Sequence, residues 1–225
     1  MTAVHPTTAV HPTTAVHPRT AVNVVLPRGD SATAPPRLPA FVTDVRPAPT
    51  DTAVALARAA DLAGLAGVVV PFDPDGPESL VTAARLLRRT RRLVVHAGLE
   101  PWVTTPQYAA KVSASLQRFS GSRLGWHVTG SGAEQFVRTA REFWSAPTGL
   151  PAVLSTSPFP AVPASGSVWL DVAGRSVDDV LALAGEHRDA EQLFLTVGPD
   201  PGEVLRLGEY LLPFLATRRE PARVG

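Results

Sequence analysis

The chain of 225 residues predicts an α/β fold with a parallel sheet, in the form of a shortened (β/α) barrel. Helical segments alternate with short strands from residue 59 to residue 132 and again after residue 167. The strands are apolar throughout, as in residues 66–70 (AGVVV), which is typical of parallel strands covered on both faces. The alternation also fits an open doubly wound sheet, but no GxGxxG or GxxxxGK loop follows a strand to favour a nucleotide-binding one.

The composition restricts the class of protein before any motif is considered. Hydrophobic residues make up 44% of the chain, charged residues 18%, and the formal net charge is +1. Such a chain can bury a sizeable core and has no field that would attract nucleic acid or an anionic membrane. It has no cysteine, which excludes disulfides and thiolate metal sites. No apolar run reaches the roughly 18 residues of a membrane span and no secretory signal is apparent, so we expect a cytoplasmic protein.

The first 19 residues form a hexad repeat, TAVHPT twice and then TAVHPR. A proline follows each of His5, His11 and His17, which favours extended backbone and prevents a helix. Nothing brings these histidines together on an extended chain, so we expect no metal site. The repeat predicts a disordered, low-complexity tail at residues 1–19, followed by a single domain at residues 20–219 and a C-terminal tail at residues 220–225.

The strands are identified as short apolar runs that end near proline, glycine or charged residues. Seven are predicted, in chain order, at residues 21–26, 66–70, 93–99, 124–128, 150–154, 167–172 and 192–197. An eighth candidate lies at residues 40–45 (AFVTDV), inside a proline-rich loop. Because helical segments separate the strands after the first loop, short hairpins cannot connect them and the sheet must be parallel.

The helices are identified by their end signals and by their apolar periodicity. They are predicted at residues 51–63, 77–88, 106–119, 133–144, 177–187 and 201–215. Thr50 or Asp51 caps the first helix, Pro77 opens the second and Ser176 caps the fifth. The inward-facing positions are predicted to be Val54, Ala57 and Leu62 in the first helix and Val81, Ala84 and Leu87 in the second.

Four arginines cluster at the C-terminal end of the second helix: Arg88, Arg89, Arg91 and Arg92. Cations in this position complement the helix dipole. The pattern therefore predicts a solvated basic face rather than an anion site.

The length of the chain limits how complete the barrel can be. Without the repeat, about 200 residues remain, whereas a (β/α)₈ barrel typically takes about 250 and seldom fewer than about 200. The connection from Trp144 to the strand at 167 is rich in proline and passes one strand candidate but no helix. We therefore expect a truncated or incomplete barrel of seven to eight parallel strands.

Residues 59–132 carry a series of motifs in a defined order. AADLAGLAG precedes a strand that is closed by proline, and TTPQYAAK, SGSRL and VTGS follow. In this order they resemble the bacterial luciferase-like flavin-dependent monooxygenases, most closely the alkanesulfonate monooxygenase branch. The segment at residues 191–215 is similar to the last strand and closing helix of that family. The resemblance implies a TIM-like barrel that receives reduced FMN from a separate flavin reductase and uses oxygen to oxidise a small organic substrate.

The resemblance also implies which residues form the site. Chemistry in such barrels lies at the carboxyl ends of the strands. The implied catalytic residues are His127, at a position where the family usually has an asparagine near the flavin, and Glu100. The implied cofactor-binding residues are Trp102, Thr104, Thr129, Gly130, Ser131 and Ser155.

Other polar and aromatic residues of the strands have structural interpretations. His96 lies within the apolar strand LVVHAGL and is expected to be a hydrogen-bonded core residue. Trp126 and His127 are consecutive, so one faces the barrel interior and the other faces the helices. Packing in the core is expected for Trp126.

The chain departs from the alkanesulfonate branch at several points. Gly76 stands where that branch has a cysteine, Leu80 stands where it has an aromatic residue, and the lid with its histidine and arginine has no counterpart. An alternative function is therefore a non-catalytic or flavin-binding subunit, as a homodimer or paired with a homologous barrel. A barrel enzyme that acts without flavin on a phosphorylated or carbonyl substrate is a third hypothesis.

Overall fold

The structure is a computed structural model, and it describes residues 20–28, 51–144, 152–153 and 166–217. Seven strands form one parallel sheet: β1 (Ala21–Val25), β2 (Gly67–Val70), β3 (Val94–Leu99), β4 (Leu124–Val128), β5 (Ala152–Val153), β6 (Ser167–Asp171) and β7 (Gln192–Thr196). These are the seven strands that the sequence predicts. The repeat at residues 1–19 and the strand candidate at residues 40–45 lie outside the described residues.

The strand order distinguishes a barrel from a doubly wound sheet. The order across the sheet is β5-β4-β3-β2-β1-β7-β6. From β1 to β5, each new strand is added on the same side of the one before it, and the last strand, β7, lies beside the first. The pairing of β1 with β7 extends from Ala21 opposite Gln192 to Val25 opposite Thr196. A doubly wound sheet reverses direction once and carries helices on both faces. The observed order is that of a barrel, with β5 and β6 as the two ends of the described sheet.

The helices are α1 (Thr52–Ala63), α2 (Ser79–Arg89), α3 (Pro106–Ser120), α4 (Ala133–Glu142), α5 (Val177–Glu186), α6 (Pro201–Arg206) and α7 (Leu212–Ala216). A π-helical turn at Leu207–Leu211 joins α6 to α7. Side chains start most of these helices by accepting a backbone hydrogen bond, as Asp51 does from Val54 and Ser176 does from Asp179. Among the described residues, no helix is long and apolar enough to cross a bilayer.

The core consists of two unequal layers. The larger layer joins one face of the sheet to the helices and includes Val24, Val68, Leu124 and Leu195 from the strands. Apolar residues of all the helices from α1 to α6 contribute to it. The smaller layer, on the inner face, contains Val25, Val69 and Phe194 with Trp169 packed against them. The helices therefore lie on one face only, which supports the truncated barrel.

Two predicted inward-facing residues are exposed, which corrects the assignment of helix faces. Leu62 is 79% exposed and Val81 is 68% exposed. In α2 the buried positions Leu80 and Ala83 each lie one residue before the predicted positions Val81 and Ala84. The helix begins at Ser79, with Glu78 as its cap, rather than at Pro77. The hydroxyl of Ser79 donates to the carbonyl of Gly98 on β3, which fixes the rotation of the helix. The residues that face the core are Leu56, Ala57, Ala59 and Ala60 in α1 and Leu80, Ala83, Leu86 and Leu87 in α2.

The π-helical turn crosses α1 at a glycine. A Cβ added at Gly208 would lie 2.5 Å from Cβ and 2.7 Å from the carbonyl oxygen of Ala63. Since the backbone of Ala63 cannot move without displacing α1, Gly208→Ala should lower the free energy of unfolding by about 1–3 kcal/mol. The measurement is urea denaturation followed by circular dichroism.

Gly185→Ala is the matched control, because Gly185 also lies in a helix. Its added Cβ would meet only the ring of Phe214 at 3.5 Å, an ordinary contact. Alanine favours a helix over glycine by about 1 kcal/mol, so this variant should be neutral or slightly stabilising. Equal effects of the two substitutions would contradict the close crossing.

Candidate active site

The carboxyl ends of β3 and β4 bring together a carboxylate and a hydroxyl. Gly98 pairs with His127 and Leu99 with Val128, so the residues that follow the two strands lie side by side. The hydroxyl of Thr129 donates to Oε1 of Glu100 at 2.5 Å, and the amide of Thr129 donates to the carbonyl oxygen of Leu99 at 2.9 Å. Thr129 is buried and Glu100 is partly buried. The structure thus joins Glu100 and Thr129, two residues predicted from different strands.

Gly130 makes room for this carboxylate. Its φ of +88° lies in the left-handed region, and a Cβ at this position would overlap Oε2 of Glu100. Both the backbone conformation and the contact therefore require glycine. Glu100, Thr129 and Gly130 form one packed unit, which we call the rim cluster.

An aromatic pair stands beside the rim cluster. Trp102 lies in the turn that follows β3, where the amide of Val103 donates to the carbonyl of Glu100 at 3.0 Å. Its side chain is 74% exposed and meets the ring of Phe72 edge-on, with ring centroids 5.8 Å apart. Phe72 follows β2, and its backbone nitrogen is so close to Gly98 that a Cβ there would overlap it. The pair is therefore held against β3, with one aromatic face open to solvent.

The other predicted cofactor-binding residues are less closely connected to the rim cluster. Thr104 is partly buried, but its neighbour Thr105 makes the N-terminal cap of α3 by accepting from the amide of Tyr108 at 3.3 Å. Ser131 is exposed. Ser155 lies outside the described residues.

His127 and Trp126 face opposite sides of β4, as their spacing predicts. His127 lies on the inner face, with its ring centroid 5.2 Å from that of Trp169, which in turn stacks on Phe194 at 4.5 Å. Trp126 faces the helices and donates from Nε1 to the hydroxyl of Ser113 at 2.8 Å. A column of three rings, from β4, β6 and β7, thus occupies part of the inner face.

His96 corrects an expectation, because it is buried but not fully hydrogen-bonded. Nδ1 of His96 has no hydrogen-bond partner within the described part of the chain. The imidazole lies between two glycines of the neighbouring strands. A Cβ at Gly125 would overlap Nδ1, and a Cβ at Gly67 would lie 3.3 Å from Nε2. The inner face therefore accommodates this ring only because both neighbours lack side chains.

Both inner histidines remain neutral near pH 7. Burial, together with the nearby His127, lowers the pKa of His96 to about 3. Burial, together with the positive charge of Arg28, lowers the pKa of His127 to about 4. A neutral imidazole can donate one hydrogen bond and accept another. His127 can therefore take part in hydrogen bonds at the inner face without adding a charge there.

Sequence reasoning missed three residues of this region: Arg28, Phe72 and Trp169. Arg28 and Phe72 each follow the carboxyl end of a strand, which is the signal that identified Glu100 and Thr129. Trp169 alternates with apolar residues that face the helices in β6, so a period of two would have placed it on the inner face. In the described ranges, no three histidine or carboxylate side chains converge as a metal site would require.

Comparison with known proteins gives one match to a family model and several partial structural similarities. A model described as luciferase-like monooxygenase matches residues 31–202. EDTA monooxygenase from Chelativorans sp. BNC1 is 14% identical, with 88% of this chain and 67% of that chain aligned at a TM-score of 0.43. A monooxygenase from Streptomyces bottropensis is 17% identical, with 62% and 59% aligned at a TM-score of 0.34.

A coenzyme F420 dependent tetrahydromethanopterin reductase from Methanopyrus kandleri is 13% identical, with 55% of this chain and 30% of that chain aligned at a TM-score of 0.38. The chain spans less than half the length of this reductase and of two further matched structures. The superpositions are therefore partial, and the family match rests on the sequence model. That match does not distinguish the alkanesulfonate branch.

The neutral inner histidines predict a dependence of stability on pH. The folded pKa values lie below the ordinary value of about 6.5, so the unfolded chain binds protons that the folded protein does not. The free energy of unfolding should therefore fall as the pH falls from about 6.5 towards 4, by up to about 1.4 kcal/mol per pH unit for each histidine. Urea denaturation at a series of pH values measures this slope.

His96→Gln should reduce the slope because it removes one of the two groups. His187→Gln, at the end of α5, should keep the steep dependence, because His96 and His127 are both still present. An unchanged slope in His96→Gln would show that this imidazole is not held neutral.

Gly130 and Gly132 offer a matched pair for testing the rim cluster. Both have positive φ, so alanine costs about 1–2 kcal/mol of backbone strain at either position. A Cβ at Gly132 has no neighbour within 4 Å, whereas one at Gly130 overlaps Glu100. Gly130→Ala should therefore lower the free energy of unfolding by about 1–3 kcal/mol more than Gly132→Ala.

A double-mutant cycle identifies the cause of this difference. Glu100→Ala in the Gly130→Ala background should recover the extra loss, because the overlapping carboxylate is then gone. Strictly additive effects would show that the two residues are not in contact.

Proposed function

The chain belongs to the luciferase-like monooxygenase family, and on this premise we propose that it is a flavin-dependent monooxygenase. The proposed cofactor is reduced FMN, and the proposed reaction uses oxygen to oxidise a small organic substrate. The observation that supports this function most strongly is the rim cluster. A family-matched segment places a carboxylate, a hydroxyl and a left-handed glycine together at the carboxyl ends of adjacent strands.

The residues at the rim fit the ring system of a flavin. Gly130 leaves space for the carboxylate of Glu100 at the rim, and Trp102 with Phe72 supplies an apolar wall. Thr129 and Glu100 supply the polar groups that the edge of the ring needs. For the phosphate, the proposed residue is Ser155.

Each residue of the rim has a distinct proposed role. Bound flavin would supply the oxygen-activating chemistry. Thr129 binds the polar edge of the ring, and Glu100 orients the hydroxyl of Thr129 by accepting a hydrogen bond from it. His127, the proposed catalytic residue beneath the rim, is kept neutral by burial and would donate or accept a hydrogen bond to the reacting group. Trp102 and Thr104 cover the ring and exclude water, while Gly130 and Ser131 allow the backbone to approach it closely.

The proposed reaction needs partners. A separate flavin reductase would supply the reduced cofactor in the cytoplasm. The small-molecule substrate would enter beside Trp102, whose ring is open to solvent. A homodimer, or a heterodimer with a homologous barrel, would complete the enclosure.

A specific observation favours a second candidate, a flavin-binding subunit without catalysis. Leu80 stands where the alkanesulfonate branch has an aromatic residue, and it is buried in the core layer of α2. Gly76 stands in place of the cysteine, in a loop where a Cβ would lie 2.8 Å from the carboxylate of Asp73. Neither position can therefore supply the side chain that the branch uses.

Titration with FMN tests the proposed function. Tryptophan fluorescence reports binding of oxidised FMN and, without oxygen, of reduced FMN. Thr129→Val should weaken binding about 3–10-fold, because one hydrogen bond is worth about 0.5–1.5 kcal/mol. Glu100→Gln should weaken it by less, and His127→Asn should preserve binding but slow substrate oxidation. Thr139→Val, on α4, is the matched control and should bind FMN normally.

Rapid mixing of the reduced complex with oxygen separates the candidates. Reoxidation of flavin at a rate different from that of free FMN supports the monooxygenase. Binding with the reoxidation rate of free FMN supports the non-catalytic subunit. No binding of either form would exclude both and favour an enzyme that acts without flavin.

A further inference from the structure

A surface hollow lies at the end of the barrel opposite the rim cluster. It has a volume of about 510 Å³ and lies between the second half of α1 and the turn from α2 to β3. Its lining consists of Arg58, Asp61, Leu62, Arg89, Arg91 and Arg92. Four of these six residues are arginines, and one is an aspartate.

Asp61 holds the walls of the hollow together, and its single negative charge offsets part of the positive charge, that of Arg92. Its carboxylate accepts from the backbone amides of Arg91 at 2.9 Å, Arg92 at 3.0 Å and Leu93 at 3.2 Å. Burial acts to raise the pKa of Asp61, but these three hydrogen bonds and the positive charge of Arg92 outweigh it and the pKa is lowered, so the carboxylate stays ionised. The side chain of Arg92 donates to the backbone carbonyl of Asp61 at 2.8 Å. The hollow is therefore preformed, with Asp61 already occupied.

The helix dipole accounts for only part of this charge. Arg89 lies in the last turn of α2, but Arg58 lies outside the last turn of α1, and Arg91 follows the end of α2. Within the described residues, no carboxylate forms an ion pair with any of these three arginines. The arginines of this face, which the sequence predicts to be solvated, thus place like charges close together. A bound anion would reduce the repulsion between them.

We propose that this hollow binds a small molecule that carries at least two phosphoryl groups, a function beyond the proposed monooxygenase. The planar guanidinium group binds phosphoryl oxygens through paired hydrogen bonds, and three or four of them suit a di- or triphosphate. The volume is in the range of small-molecule sites, about 300–1,000 Å³. Leu62, which is 79% exposed, provides an apolar contact for a ring attached to the phosphates. The net charge of +1 argues against a general affinity for nucleic acid.

Isothermal titration calorimetry with inorganic tripolyphosphate, ATP and FMN tests the proposal at low and high ionic strength. Tripolyphosphate and ATP should both bind saturably, and more weakly at high salt. ATP should bind more tightly if the ring contacts Leu62, and Leu62→Ser should remove that difference. Arg58→Gln with Arg91→Gln should weaken both at least 10-fold. Arg92 is kept in these variants because its side chain supports the turn.

Arg118→Gln is the matched control, since Arg118 is also an exposed arginine in the last turn of a helix but lies outside the hollow. It should leave tripolyphosphate binding unchanged, and thermal denaturation should show that all variants are folded. An equal loss in Arg118→Gln would mean that the affinity is general. No saturable binding of tripolyphosphate, or tighter binding of a short single-stranded oligonucleotide, would overturn the proposal.

Glu100→Gln separates this proposal from the flavin site. Tripolyphosphate binding should be unchanged in Glu100→Gln, and FMN binding should be unchanged in the double arginine variant. Competition between FMN and tripolyphosphate would place both at one site and would overturn the assignment to the hollow.

Discussion

The pairing of β1 with β7 is the constraint on which the rest of the structure depends. It brings the last strand beside the first, so that the described strands run parallel to one another around part of one barrel. The carboxyl ends of the strands then share one rim, and the helices share the outer face. Because the inner face is narrow, rings from β3, β4, β6 and β7 fill it. In other barrels, ligand chemistry lies at this rim.

Glycine determines how the inner face is packed. Gly67 and Gly125 leave space for His96, and Gly98 lets the chain after β2 press against β3. Glycine has the same effect at the rim, where the missing Cβ of Gly130 leaves space for the carboxylate of Glu100. Burial then sets the electrostatics, since it keeps both inner histidines neutral while the carboxylate above them is held by a hydroxyl. Thr129 therefore lies between the carboxylate of Glu100 and the inner face with its neutral histidines.

Much of the fold follows from local sequence signals. All seven strands, the order of the helices and the caps at Asp51 and Ser176 could be predicted, because apolar runs and cap residues act over a few positions. The rotation of α2 could not, because it depends on the bond from Ser79 to Gly98, which are distant in sequence. The exposure of Leu62 likewise depends on how α1 meets the turn before β3.

The candidate site was predictable in part for the same reason. Residues directly after a strand are recognisable, so Glu100 and Thr129 were found. Their mutual hydrogen bond depends on the register of β3 with β4, which no local pattern encodes. The packing of His96, whose Nδ1 has no hydrogen-bond partner among the described residues, depends on two glycines on other strands. The arginine hollow depends on two segments about 30 residues apart.

The direction of strand winding affects how the chain tolerates insertions and deletions. Each of the six described pairings joins neighbours in the chain or joins β1 to β7, and none of them spans the interval between β5 and β6. The six described pairings therefore do not depend on the length of the chain between Val153 and Gly166. The register of β3 with β4, and with it the rim cluster, is set by parts of the chain that come before this interval.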